Sequence, residues 1–308
     1  MNRRDFLKTG ALAAVALPLA GSLPASAAPK PYEELPGADL RPSAGTVGIR
    51  FLGTGAADWK GPDDRGEHRR RCSILVNGKF LIDYTACNED MLPQGCRPEV
   101  IFYTHSHGDH YNAEDALKLG IKKVYLSETW LARAQKEFRA ASLKYGIPAP
   151  EIVPMKEGGR YEQDGLVITA LPGNHVTGDM QEQALIYLIE STDARVLYAT
   201  DTAGIMGKAA RFAGIDYHVA GKAIHGIVME ATMGLGHDND FRIFNHSSVA
   251  TVVQTVKVLR DTRRYTPRAG KKVYITHLAR TLHGTQAQLD RELPSPLKAA
   301  YDGLEIEF

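Results

Sequence analysis

Cysteine is scarce in this 308-residue chain: Cys72, Cys87 and Cys96 are the only three. An odd number with no C-x-x-C pair excludes a zinc knuckle and allows at most one disulfide. At least two of the three are therefore expected to be buried small apolar residues. Long apolar runs are lacking too. Beyond the N-terminus no stretch reaches the ~20 residues that a membrane-spanning helix needs. Net charge is almost absent, at +1. That removes the electrostatic reason to expect a nucleic-acid polymer or an anionic membrane as partner, while a small anionic substrate remains compatible through local charge in a cleft. No internal repeat or low-complexity linker divides the chain. What is present, 44% hydrophobic and 24% charged residues, is the profile of one large globular domain with a substantial core.

The N-terminus reads as an address. Residues 2–8 are Asn-Arg-Arg-Asp-Phe-Leu-Lys, followed by an apolar run from about Gly10 to Leu19 and then Pro24-Ala25-Ser26-Ala27-Ala28. A charged segment, a short greasy segment and a small-residue cleavage site, in that order, make a secretory signal. The pair Arg3-Arg4 ahead of Phe6-Leu7-Lys8 resembles the twin-arginine export signal. Cleavage after Ala27 defines residues 1–27 as the signal peptide and places the mature protein in the periplasm or otherwise outside the cytoplasm. Twin-arginine export carries proteins already folded, often around a cofactor. Residues 28–45, rich in Pro, Ala and Glu, read as a flexible N-terminal segment. Residues 46–308 form the functional domain, with no membrane span left once the signal is removed.

Along that domain, short β-rich runs are expected at 46–52, 73–76, 80–83, 100–103, 124–126, 166–171, 184–190, 196–199, 224–230, 272–275 and 304–308. Asn77-Gly78 between the second and third is a two-residue hairpin signal, because both residues tolerate φ > 0. Helical spacing of apolar positions covers 112–119, 128–145 and 249–259, the last with Asn245 or Ser247 available as N-cap. Residues 58–71, polar and rich in Gly, Pro and charge, read as a surface loop. Strands with helices interspersed, and polar residues at strand ends, are the layout of a layered α/β domain.

Those strand ends hold the chemistry. Thr104-His105-Ser106-His107-Gly108-Asp109-His110 follows an apolar strand directly. In an extended segment residues i and i+2 point the same way, so His105 and His107 can share one metal ion. Gly108 is expected to let the chain turn so that Asp109 and His110 face a neighbouring position. Imidazole nitrogens with a carboxylate suit zinc or a similar borderline ion. Further along, His175, Asp201 and His277 each close a strand.

The run matches T-H-x-H-x-D-H, and with His175, Asp201 and His277 in order the chain resembles the metallo-β-lactamase superfamily. The resemblance spans roughly residues 46–308. It implies an αββα sandwich, two mixed β-sheets face to face with helices outside. It also implies a two-metal site: His105, His107 and His175 on the first ion, Asp109, His110 and His277 on the second, Asp201 bridging. Zinc, manganese or iron would all suit. Asp109 is then catalytic through the metal shell and not as a free base.

Gly53-Thr54-Gly55, Arg71-Cys72-Ser73, Thr200–Gly204, Asn245-His246, Thr276-His277-Leu278 and Tyr301–Ile306 are similar to the phosphodiesterase branch that includes ribonuclease Z and a cyclic-phosphate phosphodiesterase of carbon–phosphorus lyase pathways. In that branch an additional histidine, here His246, assists departure of the leaving oxygen. Two departures stand out: residues 58–71 lack the cysteine-rich zinc loop of the second relative, and Ser248 replaces an Asp. The implied function is an exported dinuclear hydrolase of a small phosphodiester, acting through hydroxide generated at the ions. A lactonase or other ester hydrolase is the alternative within the superfamily. A metal-containing binding protein without catalysis is the alternative outside it. The resemblance is compatible with a homodimer. His68, His218, His225, His237 and His283 receive no role, although His237, Arg280 and His283 lie where they could line the pocket.

Overall fold

The computed structural model describes residues 35–216 and 222–308. The signal peptide expected at 1–27, the start of the segment expected at 28–45, and His218 lie outside the described residues. The first half of the domain contains β1 (Gly48–Gly53), β2 (Ser73–Val76), β3 (Phe80–Ile82), β4 (Val100–Phe102), α1 (Ala113–Leu119), β5 (Lys123–Ser127), α2 (Leu131–Tyr145) and β6 (Glu151–Met155). The second half contains β7 (Arg160–Gln163), β8 (Leu166–Pro172), β9 (Leu185–Glu190), β10 (Arg195–Ala199), α3 (Gly207–Phe212), β11 (Gly226–Glu230), α4 (Val249–Asp261), β12 (Val273–Thr276), α5 (Gln286–Glu292), β13 (Leu297–Ala299) and β14 (Glu305–Glu307).

The strands form two seven-stranded sheets, ordered β14-β1-β2-β3-β4-β5-β6 and β13-β12-β11-β10-β9-β8-β7. Both are mixed: β14 through β3 pair antiparallel and β3 through β6 parallel. In the second sheet β13 through β10 run parallel and β10 through β7 antiparallel. A core shared by the two sheets includes Phe51, Phe102, Tyr187 and Tyr198, with Phe102 stacked on Tyr125 at 4.3 Å. On the outer face of the first sheet Leu81, Ile101 and Tyr103 pack with Ala116 of α1 and Ala134 and Phe138 of α2. On the outer face of the second, Leu197, Met229 and Ile275 pack with Val252 and Val256 of α4 and Leu289 of α5. This is the αββα sandwich. Central strands are covered on both faces, which is why β8 and β10 read in sequence as unbroken apolar runs.

Several local expectations change. The hairpin closes on Val76–Phe80, so its loop takes in Lys79 as a third residue beside Asn77 and Gly78, both at positive φ. The N-cap of α4 is Ser248, whose side chain accepts from the backbone N–H of Thr251, not Asn245 or Ser247. This gives Ser248 a structural use at the position where the resemblance led an Asp to be expected. The strands β6 and β7 have no counterpart in the sequence reading. Both are sheet edges with largely exposed or half-buried residues, so neither carries an apolar signal. Of the cysteines only Cys72 is buried; all three are free thiols. Residues 35–45 hydrogen-bond to the β7–β8 hairpin, with Arg160 N–H donating to Pro36 O and Ser43 N–H to Gly165 O, both at 2.7 Å. No helix among the described residues is long and apolar enough to cross a membrane.

Candidate metal centre

The side chains of the centre project from strand ends. His105 and His107 follow β4, His175 follows β8, Asp201 follows β10 and His277 follows β12. Two of these residues turn the chain in the left-handed region, Asp201 at φ 47° and His277 at φ 54°, and so does Asp83, directly after β3, at φ 58°. Asp and His tolerate this region better than most residues, and such conformations persist where surrounding structure over-determines them. Gly108, expected to be the turning residue, is not at positive φ, and a Cβ there would meet nothing within 4 Å. The turn is held instead by backbone bonds from His110 and Tyr111 N–H to His107 O, at 3.0 and 2.9 Å.

All seven residues expected as ligands converge. His105 Nε2 lies 2.9 Å from His107 Nδ1, which lies 3.2 Å from His175 Nε2. Three nitrogens bound to one zinc at ~2.0–2.1 Å would stand about 3.3 Å apart. Close by, His110 Nε2 is 3.4 Å and His277 Nε2 3.5 Å from Asp109 Oδ2. Asp201 divides its carboxylate between the two groups. Its Oδ2 stands 2.9 Å from His110 Nε2 and 3.3 Å from His277 Nε2, while its Oδ1 faces His175 Nε2 at 3.8 Å. Each trio, His105/His107/His175 and Asp109/His110/His277, is compact enough to hold an ion.

Three observations fit divalent cations. The Nε2 atoms of His110 and His277 are buried without a hydrogen bond of acceptable angle, as expected of lone pairs aimed at an ion. Their opposite ring nitrogens are engaged: His110 Nδ1 donates to Asp83 Oδ2 at 2.7 Å, His175 Nδ1 to Asn245 O at 3.0 Å, and His277 Nδ1 lies 2.8 Å from Thr232 Oγ1. Such partners fix the tautomer that leaves Nε2 free to ligate. The electrostatics agree. Burial, then neighbouring imidazoles, pushes His105 and His107 below the usual histidine range, so both are neutral. Burial opposes charge on His110, but Asp201, Asp109 and Asp83 outweigh it and raise its pKa. That excess of buried carboxylate is what a divalent cation neutralises.

Asp83, Glu230 and Glu182 escaped the sequence reading. Asp83 accepts from Thr104 N and Oγ1 at 2.8 and 2.7 Å as well as from His110. Glu182 accepts from Ser106 N at 2.7 Å and from Ser106 Oγ, pinning the residue between His105 and His107. Glu230 is fully buried and faces His246 Nδ1 with both oxygens at 3.1 Å. The signal that could have found Asp83 and Glu230 is a lone acid ending an apolar strand. Burial lowers the His246 pKa, and Glu230 more than offsets this, raising it to about 9. His246 lies against the centre, stacked on His277 at 5.5 Å between ring centroids.

Two of the other candidates, His283 and Arg280, serve the scaffold. His283 is buried and donates from Nε2 to Ala231 O at 2.6 Å. Arg280 N–H donates to Asp58 at 2.9 Å and its guanidinium to Pro62 O at 3.1 Å. With Arg65 donating to His283 O, and Arg69 to Thr54 Oγ1 and Ala300 O, these bonds tie the 58–71 loop down without metal ligands.

The family model described as the beta-lactamase superfamily domain matches residues 89–278, a stretch that holds all seven converging side chains together with His246. The chain belongs to the metallo-β-lactamase superfamily. Its fold is similar to that of the metallo-β-lactamase fold protein YhfI from Bacillus subtilis, at TM-score 0.60 and 14% identity over 86% of this chain and 100% of that one. Human tRNase Z, short form, gives 0.58 and 14% over 84% and 98%. Zn(2+)-bound PqqB from Methylobacterium extorquens gives 0.58 and 16% over 84% and 99%. No curated protein sequence matches the chain. The two halves of the centre thus lie within the matched domain of a superfamily hydrolase.

Proposed function

We propose that this superfamily hydrolase is an exported phosphodiesterase that works with two divalent ions. His105, His107 and His175 would hold one ion, Asp109, His110 and His277 the other, with Asp201 between them. The nitrogen-rich donor set favours zinc, and a fold neighbour is zinc-bound PqqB. Divalent ions held there would supply Lewis acidity at a phosphoryl oxygen and lower the pKa of water towards about 7.

The observation that carries the reading is the His246–Glu230 pair. Phosphodiester hydrolysis must expel an alkoxide, and an acid within reach lowers that barrier. Glu230, with both oxygens 3.1 Å from His246 Nδ1, favours the protonated imidazole. Glu230 takes the Nδ1 proton in a hydrogen bond at 3.1 Å, so the Nε2 proton is the one available to the departing oxygen. Thr232 Oγ1 donates to Glu230 and stands beside His277 Nδ1, which keeps acid and ligand in one network. A positioned acid contributes about 10²–10⁴ in rate.

The test is metal analysis of the mature protein with a screen of bis(p-nitrophenyl) phosphate, a phosphomonoester and a lactone panel. Phosphodiester turnover that vanishes in Asp201→Ala supports the proposal. Turnover of lactones alone would assign the ester-hydrolase alternative, and no turnover with full metal would assign a binding role. Export is tested separately: replacing both Arg3 and Arg4 by Lys should leave the protein in the cytoplasm, and unchanged secretion would refute a twin-arginine route.

A further inference from the structure

Two segments beside the centre carry an unusual surface. One, residues 173–182, follows β8 and holds His175. The other leaves the end of β11 and returns at His246; it is closed at its base by Met233 N–H donating to Ser247 O at 3.2 Å and Val249 N–H to Met233 O at 3.0 Å. An excursion with its ends pinned together in this way is an Ω-loop. The two segments touch through Val176 N–H donating to Asn245 Oδ1 at 3.3 Å and through His175 Nδ1 donating to Asn245 O at 3.0 Å. Of the ten large apolar side chains exposed among the described residues, six lie on these segments: Val176, Met180, Leu235, Phe241, Ile243 and Phe244. Met180, Phe241 and Phe244 are 81%, 76% and 79% exposed, so they are bare and not merely half-covered. Exposed apolar side chains scattered singly need no explanation; six of the ten falling on two segments that hydrogen-bond to each other beside the centre are not scattered.

We infer that this rim binds the apolar part of the substrate, a long acyl, alkyl or aryl group attached to the ester that the centre hydrolyses. The inference rests on the metal-hydrolase reading above. The rim grows from the segments that hold His175 and His246, so a group bound on it is covalently within reach of the reacting atoms. Charge argues against a polyanion or an anionic membrane as occupant: the segments carry Asp179, Asp238 and Asp240 against Arg242 alone, apart from the buried Glu182. Size argues against a second copy of the chain. The six side chains together offer roughly 650 Å², short of the ~800 Å² per partner that a stable interface buries. An eight-carbon chain needs far less.

The experiment is calorimetric titration of the zinc-loaded mature protein with straight-chain hydroxamic acids of two, four, six and eight carbons. Their head group chelates a divalent ion whichever electrophile the enzyme takes. Affinity should rise by about two- to fourfold per methylene, and the slope should flatten in Phe241→Ser/Phe244→Ser, whose replaced side chains are exposed. A two-carbon ligand that binds as well as the eight-carbon one, an unchanged slope in the double variant, or no binding by any member would each overturn the inference. So would a wild-type dimer that dissociates in the double variant, since the rim would then belong to a second copy. Chain-length dependence without phosphodiester turnover would retain the rim and discard the phosphodiester, so the two failures are distinguishable.

Discussion

At the scale of single residues, the contributions of acid and ligands can be separated. His246→Ala should lower kcat on a phosphodiester by about 10²–10⁴ while leaving the metal content unchanged, because its Nδ1 faces Glu230 and Thr232 and no ligand depends on it for its tautomer. Steady-state kinetics beside metal analysis check this, and unchanged kcat would remove His246 from the chemistry. Asp83→Asn should do the reverse. It replaces the charged acceptor of His110 Nδ1 by an amide with one oxygen fewer, and loss of such an outer partner weakens metal binding by about 10–100-fold. Competition with a chelator measures it, and wild-type affinity would show that His110 is oriented by something else. Four of the seven converging residues were legible in the sequence because H-x-H-x-D-H is a contiguous cluster, and a cluster is improbable by chance. Asp83 and Glu230 were not, because one acid at a strand end looks the same whether it faces solvent or a buried imidazole.

At the scale of elements, strand ends and helix caps decide where side chains point. Ser248 caps α4 two residues after His246, so the cap fixes the chain direction as it leaves the centre. Ser248→Ala should cost about 1 kcal/mol of stability, read from the midpoint of urea unfolding; a midpoint equal to that of the wild type would mean that the cap is compensated. The elements that sequence patterns revealed were the long or doubly covered ones, such as α2, α4, β8 and β10. Those that escaped, β6, β7, α3, α5 and β13, are edges or short pieces. An edge strand buries little on its outer side, and a helix of six or seven residues shows fewer than two turns of periodicity.

At the scale of the molecule, burial sets a pH limit. Burial first, with Arg69 contributing, lowers the His283 pKa from 6.5 to about 4, against the hydrogen bond to Ala231 O. A folded-state pKa below the unfolded value means that the unfolded chain takes up the proton first as pH falls. The stability is therefore full above about pH 6.5 and declines down to about pH 4, by roughly 3 kcal/mol in all. Denaturant unfolding at pH 7.5 and 4.5 should show a smaller acid loss in His283→Gln than in the wild type. Equal losses in both would mean that His283 is reached by solvent when protonated.

Sequence alone determined the superfamily, the order of the polar residues at strand ends, the alternation of strands and helices, and the layered class, because each depends on local order: spacing along a strand, periodicity along a helix, the sequence of strand ends. Only the tertiary structure decided that Asp201 divides its two oxygens between the trios, that Glu230 faces His246, and that arginines tie down the 58–71 loop. These are pairings between residues from 15 to 231 positions apart. No local pattern encodes them, since they arise when two sheets pack face to face and bring the ends of their strands together.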